Sequence, residues 1–206
     1  MSIVRSTGLL FFSVFLFILF SAEGAGNCEI ELIHGCISKY KGILRAKPNP
    51  EDHCSRVQDV VLSFAENPSC KGPSINRFRF WILQEAMLEV KLKICPQVNY
   101  KSLKDCVENT DVAKEHTLVE NYGLGDSFDP CAAEVHTMCS KTFLDLMKQN
   151  ERICGDSAQW FACYRKVAEK KNCNSPIIKN YADFVEKMGI QLVSDALFAN
   201  SCSIAI

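Results

Sequence analysis

CEIELIHGC (residues 28–36) and CAAEVHTMC (residues 131–139) read as the same device used twice, and the fold follows from them. Each sets two cysteines eight positions apart in a segment whose apolar residues recur at helical spacing. On an α-helix that separation is about 12 Å, roughly twice the Cα reach of a disulfide, so neither pair can close on itself. Each helix must therefore be tied at two levels to other parts of the chain. The expectation is an all-α, disulfide-stapled helical bundle of two related three-helix modules.

The amino terminus sets the compartment. Arg5 precedes a short apolar run, LLFFSVFLFILF (residues 9–20), and Ala22-Glu23-Gly24 offers small residues at the positions a signal peptidase reads. Residues 1–24 are expected to be a signal peptide. The run is too short to span a bilayer, and no later one is longer, so no transmembrane segment is expected after its removal. All twelve cysteines lie beyond this point, an even number in a chain bound for an oxidising compartment. Metal binding through them is not expected, because no Cys-x-x-Cys occurs and the four histidines are scattered along the chain. A net charge of −1 gives no electrostatic case for nucleic acid or an anionic membrane.

Along the chain, Asn27 is a good cap, with Glu29 and Glu31 in the first turn where the helix dipole favours acids. Ile30, Ile33, Ile37, Tyr40 and Leu44 then form a buried stripe. Pro48-Asn49-Pro50 ends that helix and begins the next, which turns Cys54, Val57, Val61 and Phe64 inward. After a loop holding Cys70, a third helix runs from Ser74 to about Ile94. It is apolar on nearly every side, with Glu85, Glu89 and Lys93 as a narrow wet stripe. Such a helix is a buried central one, or it lines a cavity for an apolar ligand, with Phe78, Trp81 and Ile82 as the candidate ligand face. Arg77 and Arg79, interleaved with these aromatics, would suit base stacking only in a basic protein.

A shorter helix carries Leu103, Cys106 and Val107. The polar stretch from Asp111 to Tyr122, closed by Gly123 and Gly125, is the expected junction between a first module at 25–125 and a second at 126–206. The second module opens with Asp129 as cap and Pro130 at the first helical position, and turns Cys131, Val135, Met138, Cys139 and Phe143 inward. A helix over about Ser157 to Lys170 buries Trp160, Cys163, Tyr164 and Val167. Ser175-Pro176 starts the last helix, in which Gly189 costs roughly 1 kcal/mol against alanine and marks a bend.

Twelve cysteines permit on the order of ten thousand pairings, and helix order narrows them. An antiparallel hairpin turning near Ile153 puts Cys131 level with Cys173 and Cys139 level with Cys163. A returning last helix brings Cys202 to Cys154. The first half maps onto this as Cys28–Cys70 and Cys54–Cys95. It has Val60 and Val61 where the second has Cys163, and Cys106 is left over, so Cys36–Cys106 is the matching expectation.

CEIELIHGC, CSRVQDVVLSFAENPSC (residues 54–70) and CGDSAQWFACYRKVAEKKNC (residues 154–173) together resemble the secreted cysteine-rich helical proteins of arthropods and nematodes, including the insect haemolymph glycoprotein-like family. The resemblance rests on cysteine spacing over most of the chain. It implies a secreted helical fold and supplies no catalytic residues.

No chemistry is legible. The Gly-x-Ser-x-Gly turn of serine hydrolases is missing, and an even cysteine count leaves no free nucleophile. His34 and His136 sit in the two Cys-x7-Cys segments without the acid or glycine-rich calcium loop of secreted phospholipases. His53 and His116 stand beside Asp52 and Glu115, as on wet helix faces. The expectation is a non-enzymatic secreted protein without cofactor, binding or carrying an apolar extracellular ligand. The alternative is a venom toxin or effector acting on a channel or receptor.

Overall fold

Prolines mark where helices begin. Pro73, Pro130 and Pro176 each stand in the first turn, where the missing N–H has no partner to lose and φ is already helical. The computed structural model describes residues 27–122, 128–149 and 160–199, with backbone alone at 146–149. The targeting segment, Gly123, Gly125 and the expected Cys154–Cys202 pair lie outside the described residues. The helices are α1 Asn27–Ala46, α2 His53–Ala65, α3 Pro73–Lys91, α4 Lys101–Val107, α5 Asp111–Glu115, α6 Pro130–Gln149, α7 Cys163–Lys171 and α8 Pro176–Phe198. Turns of 3-10 helix stand at Pro50–Asp52 and Val119–Asn121. Among the described residues there is no strand. The protein is an all-α bundle, as its periodicity demands.

Starts are set by local chemistry. Asp129 Oδ1 accepts from the Ala132 N–H at 2.9 Å, the N-cap expected before Pro130. Asn49 stands extended before Pro50 without a side-chain cap, and the prolyl residue opens a 3-10 turn, so α2 proper begins three residues later than its sequence suggests. Helix α3 borrows its cap: the Ile75 N–H donates to Glu29 Oε1 of α1 at 3.0 Å. The backbone approach this requires leaves no room for a side chain at Gly72, whose Cβ would lie 2.2 Å from the Glu29 carboxyl carbon.

Helix α3 is the axle. It packs on α1, α2, α4, α5 and α8, and Ile75, Phe80, Leu83, Ala86, Met87 and Leu88 are all buried. Burying each of the larger of these side chains contributes roughly 1.5–3 kcal/mol. Ser74, Arg79, Gln84 and Glu89 of α3 are enclosed as well, which the sequence did not suggest. Arg79, with no exposed surface, donates Nε to Phe64 O at 2.9 Å, Nη1 to Cys70 O at 2.6 Å, and Nη2 to Glu66 O and Asn67 O at 3.0 Å each. It thereby satisfies carbonyls left open where α2 ends. Gln84 receives the Val119 N–H at 2.8 Å and donates to Thr117 O at 2.9 Å, holding the 3-10 strap against the axle. The two arginines that interleave with aromatic residues are structural.

Among the described residues four disulfides staple the bundle: Cys28–Cys70, Cys54–Cys95, Cys131–Cys173 and Cys139–Cys163. All four are the pairs that helical geometry selects. Cys28–Cys70 and Cys131–Cys173 each join residues 42 apart, tying the start of the first helix of each half to the residue ahead of its third. Cys36 and Cys106 do not pair. Each thiol is instead engaged by the last turn of α2, Cys36 Sγ at 3.4 Å from Ser63 O and Cys106 Sγ at 4.0 Å from Ala65 O. Burial pushes the Cys36 thiol up, so it behaves as a small inert core residue.

The halves share one continuous hydrophobic cluster, running from Ile33 through Phe80 to Val185. At the seam Asp195 of α8 accepts from Arg77 Nε and Nη2 at 2.7 Å each and from Ser74 Oγ at 2.8 Å, both on α3. Met138, expected inside, is 38% exposed.

Candidate functional site

Two features meet where α1, α2, α3, α6 and α8 converge. The first is a cavity of about 210 Å³, walled almost wholly by apolar side chains. Phe78, Trp81 and Ile82, the face singled out on α3, all border it. They sit opposite residues no single segment could have announced: Tyr40 from α1, Phe143 from α6, and Trp160 and Phe161 ahead of α7. The rings form a chain, with Tyr40–Phe143, Phe143–Trp160 and Trp160–Trp81 centroids 6.4, 4.8 and 5.1 Å apart. These tilted and offset contacts suit aromatic quadrupoles. Trp160 Nε1–H is buried with no hydrogen-bond partner among the described residues.

Gly189 belongs to this wall. A Cβ there would meet the Phe161 ring at 2.5 Å, so the glycine is a seat for that ring rather than a bend. Gly189→Ala is therefore expected to lose about 1–3 kcal/mol through forced repacking, against the ~1 kcal/mol gain helix propensity alone would give. A thermal melt decides it; a rise in Tm would refute the seat.

The second feature is a buried polar cluster at the cavity's edge. Glu89 of α3 is fully enclosed, and its Oε1 accepts from His53 Nε2 at 2.7 Å and from His136 Nε2 at 2.8 Å. Glu85, one turn earlier, lies 3.6 Å from His136 Nε2 and accepts a short hydrogen bond from the Tyr181 hydroxyl. The Tyr164 hydroxyl hydrogen-bonds His136 Nδ1 at 2.9 Å. His136, on the second Cys-x7-Cys helix, has no exposed surface. His53, Glu85 and Ser140 border the cavity, so the cluster is its polar corner.

The electrostatics follow from this crowding. Burial by itself would raise the Glu89 carboxyl, but the charge of His136 and the hydrogen bonds from both histidines outweigh it and hold the group down at about 2. Burial dominates at Glu85, and with Glu89 beside it the carboxyl is pushed up despite His136. At His136 burial opposes the charged form, yet the two carboxylates more than offset it and raise the imidazole. Tyr164 and Tyr181 are pushed well up, first by burial and then by the carboxylates, so both remain neutral. Two carboxyl groups one helical turn apart are thus driven in opposite directions.

Several residues stand elsewhere than their sequence context suggests. Glu85 and Glu89 are no wet stripe; only Lys93 of that trio is exposed. His53 faces Glu89 rather than solvent. His116 is half-buried between the Phe80 and Phe184 rings, at 5.8 and 5.9 Å. His34 is exposed. Acid and histidine positions carry the same composition whether they face water or one another. Only the packing of α6 on α3 tells them apart. In comparisons with known proteins, no family model matches the chain, and neither does any curated protein or solved structure.

Proposed function

We propose that this protein is an extracellular binding protein that carries a small apolar molecule in the cavity beside α3. The cavity is the observation that carries this reading: about 210 Å³ of space inside a bundle whose walls are aromatic and aliphatic. Close packing normally leaves few voids larger than a water molecule. A void of roughly 150 Å³ with apolar walls is enough to take up benzene, so this one suits a bicyclic aromatic or a short terpene.

Four disulfides support an oxidising compartment. Among the described residues no helix is long and apolar enough to cross a membrane. The likeness in cysteine spacing to secreted arthropod and nematode proteins supports the same setting.

The chain has two tryptophans, and both border the cavity, so intrinsic fluorescence reports directly on its filling. Titration with N-phenyl-1-naphthylamine is expected to quench that emission saturably at one dye per chain. Ile82→Trp, which fills the space, is expected to weaken binding about tenfold or more. Linear, non-saturating quenching, or equal binding by the filled variant, would remove the carrier reading.

A further inference from the structure

We propose that Glu85, Glu89 and His136 form a binding site for one divalent transition-metal ion, zinc by the chemistry of its donors. The liganding atoms of these three residues lie within 4.8 Å of one another, on α3 and α6. Tetrahedral zinc with bonds of about 2.0–2.1 Å sets its ligands roughly 3.3 Å apart. His136 Nε2 stands 2.8 Å from Glu89 and 3.6 Å from Glu85, on either side of that value. The donors can therefore close on an ion by small side-chain movements.

A buried ion pair alone leaves one observation unaccounted for. Glu89 is fully enclosed, yet its Oε2 has no hydrogen-bond partner among the described residues. Stripping a carboxylate oxygen of water without replacing its bonds costs about 1–3 kcal/mol, more for a charged group. The distances above run to Oε1, so an ion would satisfy Oε2 only if Glu89 bound it through both carboxylate oxygens. Charge argues the same way. Enclosed Glu89 and partly exposed Glu85 both face His136, and a dication would balance the carboxylate charge there.

The surroundings are those of a metal-binding histidine. Tyr164 holds His136 Nδ1 at 2.9 Å, which orients the ring and leaves Nε2 to face the cluster. His53 steadies Glu89 through the same Oε1 at 2.7 Å, and Tyr181 steadies Glu85. The imidazole donor favours zinc over calcium or magnesium, which take oxygen alone. Cys95 also lies near His53 and Glu89, but its sulfur is committed to Cys54. Glu85 borders the cavity, which gives an ion its way in.

The test uses the whole disulfide-intact chain, freed of metal by a chelator and titrated with Zn²⁺ alone by calorimetry. One saturable site per chain is expected. Glu89→Gln should weaken it by ~100-fold or more and Tyr164→Phe by about tenfold, since even outer partners of a ligand are worth 10–100-fold. His34→Gln should leave it unchanged. Co²⁺ in place of Zn²⁺ should give the intense visible bands of a tetrahedral nitrogen–oxygen site with no thiolate charge-transfer band. That spectrum needs no substitution, so it decides the matter should Glu89→Gln fail to fold. The absence of a stoichiometric site would overturn the proposal, as would a site lost on alkylating Cys36 and Cys106 rather than on Glu89→Gln. The apolar-ligand reading stands or falls on its own dye titration, independently of this result.

Discussion

Arg79→Lys is expected to destabilise the protein by about 3–5 kcal/mol, as much as breaking a buried ion pair, although it conserves charge. The reason is geometric. Four carbonyl oxygens, of Phe64, Glu66, Asn67 and Cys70, converge on one planar guanidinium that has no exposed surface. An ammonium has three donors on a tetrahedral centre and cannot reproduce the fork, so at least one carbonyl is left dry and unpaired. The ammonium would also be buried with no carboxylate bonded to it, which costs more than the lost bonds alone. For a chain of this size each kcal/mol moves Tm by ~2–4 °C, so a fall of about ten degrees should appear in a calorimetric scan with the disulfides intact. A shift under two degrees would show that these carbonyls are satisfied some other way. Arg79→Met tests the same point from the other side, because it removes the charge while leaving the carbonyls orphaned.

The second large effect belongs to the seam. Asp195→Ala is expected to cost about 2–4 kcal/mol, because it removes the carboxylate that Arg77 and Ser74 on α3 share and leaves Arg77 only the longer bond to Ser74 Oγ at 3.3 Å. The pair is bidentate and its carboxylate is 9% exposed, which sets it apart from the surface ion pairs of this protein. Arg165 with Glu186 and Asp183 has similar distances but lies open to water, and substitutions there should leave the melting temperature nearly unchanged. Coupling can be separated from simple loss by a double-mutant cycle pairing Asp195→Ala with Arg77→Ala. A coupling of about 1.5 kcal/mol or more is expected between them. Additive losses would mean that the contact seen at the seam contributes nothing of its own.

How much of this was legible beforehand depends on what kind of information each feature needs. Helix starts at Pro73, Pro130 and Pro176 are local, and proline and cap chemistry place them within a residue. The four disulfides are less local, yet the eight-residue spacing forbids closure within a helix and leaves antiparallel neighbours as partners. Cys36 and Cys106 depart from that logic, each thiol lying against a carbonyl oxygen at the end of α2. The aromatic face of α3 was visible as residues apolar on all sides, and it does border a cavity. The polar cluster was not visible at all. Glu89 and His136 are separated by 47 residues, and a carboxylate one turn from another looks identical in sequence whether water or an imidazole faces it. Arg79 was hidden for the same reason, since its partners are main-chain carbonyls that every residue type supplies.

The placement of the staples has a consequence for how the molecule can come apart. Each described disulfide closes a loop inside its own half, and no described disulfide reaches across. Among the described residues the covalent graph is thus two knots on one string, and what keeps them face to face there is non-covalent: a shared apolar interior, a salt link at Asp195 and a carboxylate facing a histidine. Inherited or engineered variation in the knots therefore acts on the survival of each half, whereas variation at the seam acts on whether the halves meet and on whether the space between them exists. The pocket is a property of assembly, belonging to neither half alone.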